Sequence, residues 1–249
     1  MLSARKTATI VGLLFLTQTV AFIIAEQLIG AVLKRPNFLN GISGDANALA
    51  FGGLLALVSG VAVVGVSVLL FPLLKQTSEP LALGYVCERV IELVLQVLFF
   101  MAAPLLLIAI GSGMRNGTVD AASSQSLSSV FKGLNDVAIV VLYLVTSIGG
   151  TILAVLLLRS HLVPRPLAVL ALIGYPVLLA GCILDMFGTT DVTAGSGLLA
   201  IAPGGLFELI LPIWLLAKGF SHQVGTEAKS SDPSSRAPSS ALGRVGIAP

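Results

Sequence analysis

Six unbroken apolar runs, each about the length of a bilayer crossing, follow one another between residues 8 and 220 and are separated by short polar breaks. A hydrocarbon core about 30 Å thick takes roughly 20 helical residues to cross. A membrane barrel would show segments of about ten residues with period-two alternation, and the chain does not. The pattern predicts an all-α polytopic membrane protein, a bundle of six transmembrane helices within residues 1–220, at about 8–33, 48–73, 82–110, 131–158, 167–187 and 195–217.

Punctuation between the runs adds detail. Lys34, Arg35 and Pro36 stop the first helix, and residues 36–47, with Asn40, Gly41, Gly44 and Asp45, read as a loop. Ala56 and Gly60 form a small-xxx-small pair that lets a neighbouring helix come close. Pro104 predicts a kink in the third helix, and Gly149-Gly150 predicts close packing or bending in the fourth. Pro203 and Pro212 are expected to break the ladder of the sixth, and residues 111–129 read as the longest internal loop. The Ser-, Pro- and Ala-rich residues 221–249 read as a disordered cytoplasmic tail. Arg5 and Lys6 before an apolar run look like a signal peptide. The run from Ala8 to Leu33 is too long for one, so it reads as the first membrane helix. No internal repeat supports an inverted-repeat transporter architecture.

Composition agrees: 56% of residues are hydrophobic and 10% charged, with mean hydropathy +1.00, against about 25% charged in soluble domains. A net charge of +2 gives no reason to expect nucleic acid as a partner; the lipid bilayer is the partner the chain demands. Lysine and arginine in the flanks set the orientation. Arg5, Lys6, Lys75, Arg159, Arg165, Lys218, Lys229, Arg236 and Arg244 fall on one side, and Lys34, Arg35, Arg115 and Lys132 on the other. This places both termini in the cytoplasm of a cell with an inner membrane.

Charges inside the bilayer are the candidate chemistry. Glu88, Arg89 and Glu92 lie within the third helix at spacings that let Arg89 touch Glu92. Glu208 of the sixth helix reaches a similar depth from the opposite chain direction. An ionisable group in hydrocarbon costs about 2.5–3.5 kcal/mol and needs a partner or a wet cavity. The expectation is that Arg89 pairs with Glu208, with Glu92 as competitor or third member. The cluster is then either a structural ion pair fixing helix register or a substrate, ion or proton site. Glu26, Asp45, Asp136 and Asp185 converge toward the opposite face, either as an acidic vestibule or as ordinary interfacial residues and caps, Asp45 being a fair N-cap.

Other chemistry lacks its residues. His161 and His222 both fall outside the expected spans, so Ser196 has no histidine base in the membrane and no histidine metal site forms there. There is no HExxH, P-loop or Rossmann fingerprint. An aspartyl dyad from Asp136 and Asp185 would lie shallow in its helices. Cys87 and Cys182, far apart and in apolar runs, read as buried small residues. The chain reads as non-enzymatic and without a cofactor; the ligand, a small molecule or ion, is not named by the sequence, and six helices are compatible with a homo-oligomer.

Several segments together resemble a bacterial membrane-protein family known as domain of unknown function 4386. They are Phe71-Pro72-Leu73-Leu74, Ala82-Leu83-Gly84-Tyr85 with Arg89 and Glu92, Leu158-Arg159-Ser160 through Pro164-Arg165, and Glu208 followed by Ile213-Trp214-Leu215-Leu216-Ala217-Lys218-Gly219-Phe220. Ala8 to Leu16 after Arg5-Lys6, and Asp45-Ala46-Asn47, also fit. The resemblance implies a six-helix inner-membrane protein and marks Arg89, Glu92 and Glu208 as the family's charged positions. It brings no substrate, cofactor or reaction, and it does not include Glu88.

Overall fold

The structure, a computed structural model, describes residues 4–35 and 38–221. Among them the chain forms α1 (Ala4–Leu33), α2 (Phe38–Leu74), α3 (Glu79–Leu95), α4 (Ala103–Arg115), α5 (Ala121–Ser160), α6 (Arg165–Met186) and α7 (Leu198–Ala217), with no strand. A π-helical segment, Gln96–Ala102, joins α3 to α4, and a 3-10 turn, Gly195–Gly197, leads into α7. Six stretches are long and apolar enough to cross a membrane. Large side chains such as Phe51, Val61, Ile91 and Ile173 are exposed on the outside of the bundle. An apolar belt of that size is untenable in water and is expected in lipid; this is a multi-pass membrane protein. His222 and the predicted tail, with Lys229, Arg236 and Arg244, lie outside the described residues.

The start of α1 and the end of α7 share one face, here the terminal face. Arg5 joins them: its Nη2 donates to the Leu216 carbonyl at 2.9 Å and the Ala217 carbonyl at 3.4 Å. A cation is well placed on the unpaired carbonyls of a helix C-terminus. Gly219, at φ +77, makes room for it; a Cβ there would lie 3.1 Å from Arg5 Nη1.

On the far face the helices are longer than expected. α2 begins at Phe38, ten residues before the expected start, so Asp45 lies inside the helix and not at its N-cap. Phe38, Leu39 and Ile42 are buried at helical spacing, and that burial outweighs the roughly 1 kcal/mol that each of Gly41 and Gly44 costs a helix. α5 likewise begins at Ala121 inside the expected loop. Asp120 caps it by accepting the Ser123 N–H at 2.7 Å. Ser124, Leu127, Ser128 and Phe131 turn inward one helical turn apart, a pattern that the surrounding serines hide.

The prolines interrupt the hydrogen-bond ladder without ending their helices. In the third span the irregularity starts at Gln96, eight residues before Pro104, and Ala103 N–H reaches back five residues to the Leu98 carbonyl. The wide turn takes up the register change ahead of a residue that has no N–H to give. Pro203 and Pro212 give no N–H to the ladder of α7, as expected, yet the helix runs on through both, held in place by close neighbours. At Gly174 of α6 a Cβ would lie 2.6 Å from the Gly204 nitrogen. The Ala56–Gly60 pair does permit close approach: Ala56 is fully buried, and a Cβ on Gly60 would lie 3.3 Å from the Leu93 Cα.

The core is packed differently in its two halves. The half nearer the terminal face is one continuous apolar cluster that includes Phe15, Leu70, Leu153, Tyr175, Phe207 and Leu211. Its upper layer is aromatic, with Phe207 meeting Tyr175 and Phe15 edge-on at 5.9 and 6.4 Å. Toward the far face the core divides. One cluster gathers Ile29, Leu49, Phe100, Leu107 and Leu142, and a smaller one gathers Leu178, Cys182 and Val192. Tyr143 packs against both.

Candidate functional site

A cavity of about 210 Å³ lies above the aromatic layer, where the far half divides. Its walls come from all six spans: Gln18, Thr19, Phe22 and Ile23 of α1, Ser59 and Val63 of α2, and Glu92 and Gln96 of the third span. Leu142, Tyr143 and Thr146 of α5, Tyr175 and Leu178 of α6, and Ile201, Gly204, Gly205, Glu208 and Leu209 of α7 complete it. Each group lies near the middle of its own span, which puts the cavity at the midplane of the bilayer. Nine of the eighteen lining residues carry polar side chains, while most of the wall surface is apolar. Ile23 of α1 and Leu209 of α7 are the exposed members of the lining, so the cavity comes nearest the lipid-facing surface between these two helices.

The charged residues split between a closed cluster and the cavity wall. Arg89 is buried, with its guanidinium 5.0 Å from the Tyr85 ring centre. Its Nη1 donates to Glu92 Oε2, and its Nε lies 3.3 Å from Glu88 Oε2. The expected Arg89–Glu208 pair is not formed among the ion pairs of the described residues; Glu92, the expected competitor, takes the guanidinium. The reason is geometric. Glu92 is three residues from Arg89 on the same helix face, whereas Glu208 comes from across the bundle and is held by Tyr175, whose hydroxyl donates to Glu208 Oε1 at 3.2 Å. Thr19 lies beside the same carboxyl. Glu88 is part of the buried cluster even though the resemblance did not include it.

Glycines make this arrangement possible. Gly149 and Gly150 let α5 pass between α3 and α6, for a Cβ at Gly149 would run into the Glu88 carboxylate and one at Gly150 into the Tyr175 ring. The double glycine read from the sequence is therefore the contact that seats one acid of the cluster and the tyrosine holding Glu208.

Glu92 links the two regions: one oxygen takes Arg89, and the other accepts from Gln96 Nε2 at 3.4 Å while the residue lines the cavity. Gln96 begins the π segment and is 2% exposed, and its Oε1 has no hydrogen-bond partner. Buried carbonyl oxygens are ordinarily satisfied by protein or by a bound group. Ser59 closes the wall by donating to the Gln18 carbonyl at 2.9 Å.

Two of the four far-face acids are engaged by neighbouring groups. Asp45 accepts from Arg35 Nη1 at 2.7 Å. Asp185 accepts the Val192 N–H at 2.6 Å and so shapes the turn into α7. Asp136 is exposed, and Glu26 is partly buried near Tyr143. Beside them in the connecting turn, Asp191 accepts from the Thr193 N–H and hydroxyl, which hold its carboxyl below the usual aspartate value. Of the cysteines, Cys182 is buried as expected and Cys87 is exposed on the bundle surface. Among the described residues no group of three or more His, Cys, Asp and Glu is disposed to hold a metal ion.

The uncharged members of the site were not singled out by sequence reasoning: Gln18, Thr19, Ser59, Gln96, Tyr143, Thr146 and Tyr175. The available signal was Gln96 four residues after Glu92, and therefore on the same helix face.

No curated protein and no solved structure matches the chain. Residues 10–219 match the family described as "Domain of unknown function (DUF4386)". That stretch holds all six spans almost entire, together with Arg89, Glu92 and Glu208. This multi-pass membrane protein is a member of the DUF4386 family.

Proposed function

We propose that this protein is a small, non-enzymatic permease of a bacterial inner membrane, holding its solute in the midplane cavity between Glu92 and Glu208. The observation that carries the reading is the position of that cavity. Transporter sites lie near the bilayer midplane, often beside interrupted helices, and here the cavity meets a π segment and a proline-containing helix. Two carboxylates on its wall are groups able to take a cation or a proton, and intramembrane acids of this kind mark substrate and ion paths. The continuous floor on the terminal face and the divided core on the far face favour entry in the far half of the bundle, where Ile23 and Leu209 bring the cavity nearest its surface between α1 and α7. With both termini cytoplasmic, as the basic flanks suggest, that half lies in the outer leaflet.

The test is chemical access. In a protein carrying Cys87→Ala, Cys182→Ala and Thr146→Cys, a small water-soluble thiol reagent should label the cavity cysteine in membranes. It should leave a cysteine at Leu153, in the floor, unmodified. Equal protection of both positions would sink the reading. A fluorescent protein fused to the C-terminus should glow, as it does on the cytoplasmic side.

A second reading applies to Glu88, Arg89 and Glu92, which make a buried contact behind Tyr85. For Glu88 and Arg89 the role is to fix the register of α3 against α5; Glu92 alone of the three also lines the cavity.

A further inference from the structure

We infer that the midplane cavity is a site for a small protonated amine with an apolar body, admitted from the lipid between α1 and α7. The inference rests on the reading of the cavity as a solute site and names the solute's class.

Charge comes first. The guanidinium of Arg89 is held by Glu92 and Glu88 and is not part of the cavity wall. Glu208 has no cation within ion-pair distance; its described partners are the hydroxyls of Tyr175 and Thr19. The wall thus offers a carboxyl group that no cation of the described residues contacts, Arg89 acting on it only through space, in a medium where a carboxylate needs a close partner. The second pointer is Gln96 Oε1, an acceptor without a donor on a side chain 2% exposed that lines the same cavity. Together, a carboxyl and an open amide oxygen favour a ligand that is positive and carries N–H donors; an anion would have to sit against both acceptors.

Shape and polarity narrow the class. A cavity of about 150 Å³ holds benzene, so one of 210 Å³ suits a molecule of about eight or nine non-hydrogen atoms. Phe22, Tyr143 and Tyr175 supply aromatic faces able to receive a cation. The apolar surface that makes up most of the wall, Val63, Leu142 and Leu178 among it, suits a hydrocarbon body better than a hydrated metal ion, which needs a full shell of oxygens. The mouth at Ile23 and Leu209 faces acyl chains, where an amphiphilic amine already concentrates.

The experiment uses the full chain in lipid nanodiscs, with phenethylamine titrated by calorimetry at neutral pH and phenethyl alcohol and phenylacetate as the neutral and anionic counterparts. The amine should bind saturably and at least tenfold more tightly than either counterpart. Glu208→Gln should weaken it at least tenfold. Leu209→Trp, which leaves every charge in place and narrows the mouth, should slow its association at least tenfold, so a result remains if Glu208→Gln does not fold. Equal binding of the alcohol, full binding by a folded Glu208→Gln, or unchanged association through Leu209→Trp overturns the inference. If the amine fails to bind while Thr146→Cys is still labelled, the solute cavity stands and the amine class falls; if neither occurs, both fall. Heat of sodium chloride binding without any for the amine also overturns it, in favour of an inorganic ion.

Discussion

Glu92 and Glu208 face one cavity from opposite walls, yet their surroundings have little in common. Glu92 sits on the same helix as its cation, three residues away, and its register is fixed by local geometry. Glu208 crosses to a tyrosine on another helix and has no cation within ion-pair distance. The first acid is neutralised by the fold itself. The second is left for something that arrives. The contrast separates the part of a buried polar network that holds helices together from the part available to a ligand.

The sharpest way to break the comparison is to remove the cation. Arg89→Ala strands two carboxylates in a buried site, and loss of one partner from such a pair costs about 3–5 kcal/mol. Glu208→Gln removes an acid that has no cation and keeps an acceptor for Tyr175, so it should remain within about 1 kcal/mol of the parent. Denaturant titration in detergent micelles measures both; similar losses would erase the distinction. Gly149→Ala comes next. The added methyl meets the Glu88 carboxylate, and overpacking of this kind costs about 1–3 kcal/mol. The same titration should show the loss, and a variant as stable as the parent would mean that α5 does not press on the cluster.

Much of this architecture was legible in the sequence, and the exceptions have physical causes. Six spans can be read because lipid demands about 20 apolar residues in a row and tolerates few alternatives. The early starts of α2 and α5 could not, since Gly41, Gly44 and the serines of 123–129 carry the residue types of loops. What makes them helical is contact with distant parts of the chain, Ile42 against Gly111 for instance. Arg89, Glu92 and Glu208 stand out because charge in hydrocarbon is rare. Tyr175 and Gln96 do not, because an uncharged polar group in an apolar helix is ordinary until its neighbours are known. For the same reason the sequence paired Arg89 with Glu208: matching depth was visible, and the intervening hydroxyl was not.

Smaller effects sharpen the picture. Tyr175→Phe removes the hydroxyl donating to Glu208 and keeps the ring against Phe207. The loss should be about 1 kcal/mol, with a larger proportional effect on ligand affinity than on stability, as calorimetry with the variant would report. Least in size is the response of Asp120, a carboxylate with neither guanidinium nor cavity, fully exposed at the start of α5. The Ser123 N–H holds its carboxyl below the usual 3.8. A lowered folded value means the cap is intact above the unfolded value and is lost as pH falls through the lowered one. Amide exchange at Ser123 should therefore be slow at neutral pH and quicken, relative to its intrinsic rate, only in acid below about that value. A relative quickening already at mildly acid pH would contradict the capping geometry.

The guanidinium of Arg5 has a consequence for assembly. Its acceptors, the carbonyls of Leu216 and Ala217, are synthesised about two hundred residues after it. The first span must therefore wait at the membrane surface with its clasp open until the last span has been made. Joining the two ends with a short linker and cutting the chain at the turn after α2 should yield a permuted protein that closes the same ring in a different order.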